Sequence, residues 1–126
     1  GILGERPLPV LEIVCRGQFY DYHAKYSDDA GTRYVFDHGL PEALCASLQQ
    51  AALAAHRAVG GRDMSRVDFI LAPDGTEQVL EINTIPGFTS HSLLPMAAAR
   101  AGIDFDELVG RLARMAYARS EAGARA

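Results

Sequence analysis

The stretch running from Arg66 to Asn83, Arg-Val-Asp-Phe-Ile-Leu-Ala-Pro-Asp-Gly-Thr-Glu-Gln-Val-Leu-Glu-Ile-Asn, constrains the fold more than any other. Two runs rich in β-branched and aromatic residues flank Pro73-Asp74-Gly75-Thr76, a strong turn signal, so the sequence predicts a β-hairpin. A tip built around Asp74-Gly75 sets Ala72 against Glu77. The ladder then pairs Phe69 with Leu80, Asp68 with Glu81, Val67 with Ile82 and Arg66 with Asn83. Successive strand side chains point to opposite faces. One face is therefore apolar, and the other gathers Arg66, Asp68, Glu81 and Asn83.

That polar face admits two explanations. Carboxylates directly across a ladder repel one another, and desolvating them costs more unless a cation lies between them. Two carboxylates and an amide oxygen converging on one spot are the hard oxygen ligands that magnesium takes together with phosphate oxygens. A solvated face holding an Arg66–Glu81 ion pair accounts for the same residues, since exposed charged faces are common. The hairpin by itself leaves both open.

The chain has 126 residues, one domain's worth, and its 48% apolar content suffices for a core. A net charge of −4 with scattered Lys and Arg gives no basic stripe, which argues against a nucleic-acid partner. No apolar run approaches the roughly 20 residues that span a bilayer, and no secretory signal is visible. Cys15 and Cys45 lack metal-ligand spacing and are expected to be reduced, buried thiols of a cytosolic protein.

Taken in order, Leu8 to Cys15 is β-branched and apolar and predicts a strand that the preceding prolines start or place at an edge. Arg16-Gly-Gln is a turn, and Phe19 to Asp29 has neither helical nor strand periodicity, so it is a loop. Thr32 to Phe36 predicts a short strand. Pro41 opens a helix with Glu42 in its first turn, carrying Leu44, Leu48, Ala51, Ala52 and Ala55 as its apolar stripe and stopping at Gly60-Gly61. His56 belongs to that helix end and is not expected to be a ligand. After the hairpin, Thr84 to His91 is an irregular loop in which Gly87 follows Pro86, as suits a turn whose backbone approaches a ligand. Ser92 is a good N-cap for a helix to about Arg100, with Pro95 tolerated in its first turn. Gly102 ends it. A last helix runs from about Asp104 to Arg119 on Phe105, Leu108, Leu112 and Met115, and Ser120 to Ala126 is expected to fray.

Three stretches carry a family likeness. Glu81-Ile-Asn-Thr-Ile-Pro-Gly-Phe-Thr-Ser-His-Ser-Leu-Leu-Pro, Arg66-Val-Asp-Phe, and Phe19-Tyr-Asp-Tyr-His-Ala-Lys-Tyr resemble the motifs of D-alanine–D-alanine ligases, members of the ATP-grasp superfamily. The resemblance runs from about residue 1 to residue 117, in the family's order and spacing. It implies an α+β carboxy-terminal lobe of an ATP-grasp fold, an antiparallel sheet with helices packed on it, over residues 1–119. It also places the family's amino-terminal domain and most of its nucleotide-binding domain upstream of Gly1.

The resemblance further implies an enzyme that joins two D-alanines for peptidoglycan of the cell wall, in the cytoplasm, as a homodimer. ATP phosphorylates the first carboxylate, and the second amine attacks the acyl phosphate. Asp68, Glu81 and Asn83 would hold two magnesium ions, with manganese possible, and Glu81 would lie at the nucleotide. Arg66 and the Gly87 N–H would stabilise the oxyanion. Ser92 and the Leu93 backbone would hold the second D-alanine's carboxylate. Ser92 as a simple cap, the usual role of such serines, is the alternative.

In the loop, Lys25 matches a residue that contacts ATP phosphates as a flexible point charge. Tyr26 matches the tyrosine that ties the active-site lid down. A surface lysine beside a packed tyrosine is the bland alternative for both. His23 stands where a Glu is more usual and receives no role. Two other functions stay in view: a ligase with another acceptor, such as a D-hydroxy acid, which Tyr26 argues against, and a non-catalytic lobe acting as an interaction module.

Overall fold

The computed structural model describes residues 1–15 and 31–124. The chain forms an α+β lobe, as expected: an antiparallel sheet with helices on both faces. Four strands, β1 (Ile2–Leu3), β2 (Arg6–Pro7), β5 (Met64–Leu71) and β6 (Glu77–Asn83), lie in the order β2-β1-β5-β6. A separate two-stranded ribbon pairs β3 (Glu12–Val14) with β4 (Arg33–Val35). The helices are α1 (Glu42–Ala58), α2 (Leu93–Arg100) and α3 (Phe105–Ala124).

Alternation along β1 divides the core in two. Ile2 packs with Val67 on β5 and with Ala52 and Leu53 on α1. Its neighbour Leu3 points the other way and packs with Leu94, Ala97, Ala98, Ile103 and Leu108 of the α2–α3 layer. Leu94 and Leu108 are essentially inaccessible, so truncating either to Ala would cost about 2–5 kcal/mol. The hairpin is thereby clamped from both sides. Its Val67 face meets α1, and the face carrying Arg66 and Asp68 points toward the α2–α3 side.

Several expected boundaries move. The strand expected over Leu8 to Cys15 shrinks to Glu12–Val14. Pro7 and Pro9 deprive the stretch before it of the N–H groups a ladder needs, and the Leu8 N–H turns back to the Gly1 carbonyl at 2.8 Å. The residues ahead of it form their own tight hairpin, β1–β2, whose two-residue loop begins with Gly4 at φ +61. Glycine at that first loop position is what such a turn requires.

At the other end α3 continues through Ser120 to Ala124, the stretch expected to fray. Alanine and glutamate there favour helix, and Arg119 of the same helix is tied to Asp63. Asp104 caps this helix, accepting the Glu107 N–H at 2.8 Å.

Cys15 and Cys45 are unbridged, as expected, but only partly buried. His56 does lie in the last turn of α1. It is also a core residue, 1% exposed, bonded through Nδ1 to the Oγ of fully buried Ser65 at 2.8 Å. Gly61 must lack a side chain for this, because a Cβ there would fall 2.5 Å from the His56 ring.

Candidate functional site

The β5–β6 ladder pairs Arg66 with Asn83, Val67 with Ile82 and Asp68 with Glu81, the register expected for the polar face. Beyond Asp68 the expectation fails. Phe69 pairs with Val79 rather than Leu80, and Leu71 rather than Ala72 faces Glu77. The reason lies at the tip. Ala72 closes on Thr76 through its N–H at 2.9 Å, leaving a three-residue loop with Gly75 at φ +84. Three-residue loops of this kind end on a left-handed glycine. That loop offsets the register by one residue, and a bulge at Leu80 absorbs the offset before the carboxylates are reached.

On the polar face Arg66 lies against both carboxylates. Its Nε donates to Asp68 Oδ1 at 2.8 Å and its Nη2 to Asp68 Oδ2 at 3.0 Å. The same Nη2 reaches Glu81 Oε1 at 3.2 Å. Arg66 and Asp68 side chains are 13% exposed and that of Glu81 is 48% exposed. The like charges expected across the ladder are thus bridged by a guanidinium, as two half-desolvated carboxylates demand. The structure thus shows the ion-pair arrangement, with Asn83 two residues beyond Glu81 on the same strand. Asn83 Oδ1 accepts the Ile85 N–H at 3.0 Å, an Asx turn that fixes the amide at the end of β6.

The loop that follows is folded on its own side chains. Ser92 occupies the N-cap position of α2, as expected, but its hydroxyl does not cap the helix. It turns back instead, accepting the Thr89 N–H at 3.0 Å and bonding the Thr89 hydroxyl at 2.8 Å. The first N–H groups of α2 therefore receive no bond from it. A Cβ on Gly87 would approach Ser92 Oγ to 3.2 Å, so glycine is what lets this loop lie against the helix start.

A groove of about 670 Å³ takes in Arg66, Asp68, Glu81 and Leu93 together, while Asn83, Gly87 and Ser92 lie outside its lining. Leu80 joins that lining, 58% exposed at the bulge beside Glu81, and was not expected there. No signal in the hairpin sequence separates this three-residue tip, and hence the bulge, from a two-residue one. Lys25, Tyr26 and His23 lie outside the described residues.

The antiparallel sheet with helices packed on it is the architecture of the ATP-grasp ligase class. Solved structures agree. The D-alanine–D-alanine ligase of Bacillus anthracis superposes with a TM-score of 0.78 at 36% identity, over 96% of this chain and 40% of that one. The same enzyme complexed with ATP gives 0.76 at 34% identity, over 96% and 39%.

The family described as D-ala D-ala ligase C-terminus matches residues 1–114, and the chain belongs to it. The D-alanine–D-alanine ligase of Dechloromonas aromatica is 46% identical over 116 residues, and that of Nitrosomonas eutropha is 50% identical over 108. These stretches are 92% and 86% of this chain but 38% and 35% of the relatives, so the chain spans little more than a third of their length. Among the described residues no helix is long and apolar enough to cross a membrane.

Proposed function

We propose that this chain supplies the metal- and acceptor-binding part of an ATP-dependent D-alanine–D-alanine ligase. The observation that carries the reading is the bridged carboxylate face: Asp68 and Glu81 paired directly across the ladder, with Arg66 on both and Asn83 on the same face.

The donor set suits magnesium. The ion takes one or two carboxylates with substrate phosphates making up its shell. Among the described residues no group of three or more His, Cys, Asp or Glu that could hold a metal ion occurs. An amide oxygen has two lone pairs, so Asn83 Oδ1 can accept the Ile85 N–H and still face a cation. Two magnesium ions, held by Asp68, Glu81 and Asn83, would neutralise phosphate charge when bound.

The remaining roles belong to this chain's own groups. Arg66, held in place by Asp68, presents a fixed positive charge to an oxyanion, and the Gly87 N–H is its partner donor. The N–H groups at the start of α2, with the Ser92 hydroxyl and the Leu93 backbone, form an anion site for the second D-alanine's carboxylate. Lys25 would meet the nucleotide phosphates and Tyr26 would tie down the loop that covers them. The product is the D-alanyl-D-alanine dipeptide of peptidoglycan, made in the cytoplasm by a homodimer.

The test is a chimera in which residues 1–114 replace the matching segment of the Dechloromonas aromatica ligase. D-alanine-dependent phosphate release is expected, together with its loss on Asp68→Asn or Glu81→Gln. A folded chimera that turns over equally well with both carboxylates neutralised would overturn the reading.

A further inference from the structure

A serine at a helix N-cap ordinarily turns its oxygen to the N–H of the second or third helical residue. Ser92 does not. Its Oγ accepts the Thr89 N–H at 3.0 Å and lies 2.8 Å from Thr89 Oγ1, while its own N–H donates to the Thr89 carbonyl at 3.0 Å. Two of these three contacts fall on the Ser92 hydroxyl oxygen. Ser90 and His91, between the two in the chain, bond one another instead, at 3.1 Å. Gly87 also lies close, since a Cβ there would meet Ser92 Oγ at 3.2 Å.

These contacts decide what the Ser92 proton can do. A hydroxyl carries one donor and two acceptor lone pairs. The Thr89 N–H fills one lone pair, and the bond between the two hydroxyls can run either way. When Thr89 Oγ1 donates, the second lone pair is filled and the Ser92 O–H is the one capacity left. When Ser92 donates, its proton is spent on Thr89. A carboxylate only accepts, so a carboxylate at the start of α2 selects the first polarity. Donation into an oxygen also strengthens the bond made by that oxygen's own proton. With both lone pairs filled, Ser92 does not compete with the anion for the first N–H groups of α2.

We propose that Thr89 is a positioning residue of the second D-alanine's site and acts through Ser92. Its N–H and O–H hold Ser92 Oγ as a pure donor for the carboxylate of the attacking amino acid. This role rests on the reading of Ser92 given under the proposed function, and it assigns the polarity of the hydroxyl to a residue three positions earlier.

The test uses the same chimera with Thr89→Val, Thr89→Ser, Ser92→Ala and the double variant Thr89→Val/Ser92→Ala. Valine keeps the branched shape and the main-chain N–H but lacks the hydroxyl. Rates are measured against D-alanine at saturating magnesium ATP and fitted with separate KM values for the two D-alanine sites. Thr89→Val is expected to raise the second-site KM about three- to tenfold, the worth of one hydrogen bond, with kcat and the first-site KM within about twofold. Thr89→Ser returns the hydroxyl and should bring the second-site KM back to within about twofold. Once Ser92 is replaced, Thr89→Val should change that KM by less than about twofold, because its effect runs through a hydroxyl no longer present. A second-site KM raised by Ser92→Ala but not by Thr89→Val overturns the role of Thr89 and leaves the site intact. An equal Thr89→Val effect in both backgrounds, or a loss of kcat that Thr89→Ser does not restore, also overturns it and makes Thr89 a structural residue of the loop. A second-site KM unmoved by Ser92→Ala removes the reading of Ser92 itself, and the role of Thr89 with it.

Discussion

Arg66 is shared unequally between its two carboxylates, and that inequality can be measured. Asp68 takes two bonds, at 2.8 and 3.0 Å, in surroundings that leave little water. Glu81 takes one bond at 3.2 Å and remains half exposed. Asp68→Asn therefore removes the stronger of these two contacts from a mostly buried guanidinium. Breaking a fully buried pair costs about 3–5 kcal/mol. The remaining Glu81 contact and the residual exposure bring the expected cost here to about 2–3 kcal/mol.

Glu81→Gln loses a half-exposed contact worth at most about 1 kcal/mol and relieves a like-charge pair across the ladder. Its net effect should lie within about 0.5 kcal/mol of zero. For a chain of this size the first change lowers Tm by roughly 6–15 °C and the second by no more than a few degrees.

Thermal unfolding of the 126-residue chain at neutral pH supplies this comparison. The same substitutions in the ligase chimera supply the functional one, where both should abolish stabilisation by magnesium nucleotide. Equal melting-point losses for the two variants would show that the ion pair is organised differently. A Glu81→Gln variant that melts early yet keeps full magnesium-nucleotide stabilisation would return Glu81 to a purely structural partner of Arg66.

The remaining predictions concern other parts of the chain. Ser65→Ala strips buried His56 of its partner and should cost about 1–3 kcal/mol, read as a lower urea midpoint at unchanged slope. The 126-residue chain alone should release no D-alanine-dependent phosphate, since it spans little more than a third of the relatives' length, and measurable turnover would contradict that. In the chimera, Tyr26→Phe should weaken D-alanine use and relax discrimination against D-lactate, so unchanged kinetics with both acceptors would leave Tyr26 without that role.

How far the sequence carried the fold depends on the range of the forces involved. The pairing of Asp68 with Glu81 and of Arg66 with Asn83 was legible because alternation over two long runs leaves few registers that keep one face apolar. The tip was not, although its residues are the most turn-like in the chain. Asp74-Gly75 fits a two-residue turn and, with Pro73 ahead of it, a three-residue loop equally well. Choosing the second shifts every pair by one, so the site-side register could hold only because Leu80 is extruded.

The missed boundaries share another cause. Leu8 to Val10 has strand composition but lies where Gln49 and His38 side chains, rather than a neighbouring strand, take its carbonyls. Ser92 has the residue type and position of a cap, yet its hydroxyl is drawn to Thr89, only three residues back, by a loop closed on Gly87. His56 and Ser65 lie nine residues apart with no periodic signal joining them. Their bond exists because α1 packs across the start of β5, and such pairings appear only once the layers are assembled. At the candidate site, alternation along the two strands put Arg66, Asp68 and Glu81 on one face, while the unequal hold of Arg66 on Asp68 and Glu81 appears only in the folded chain.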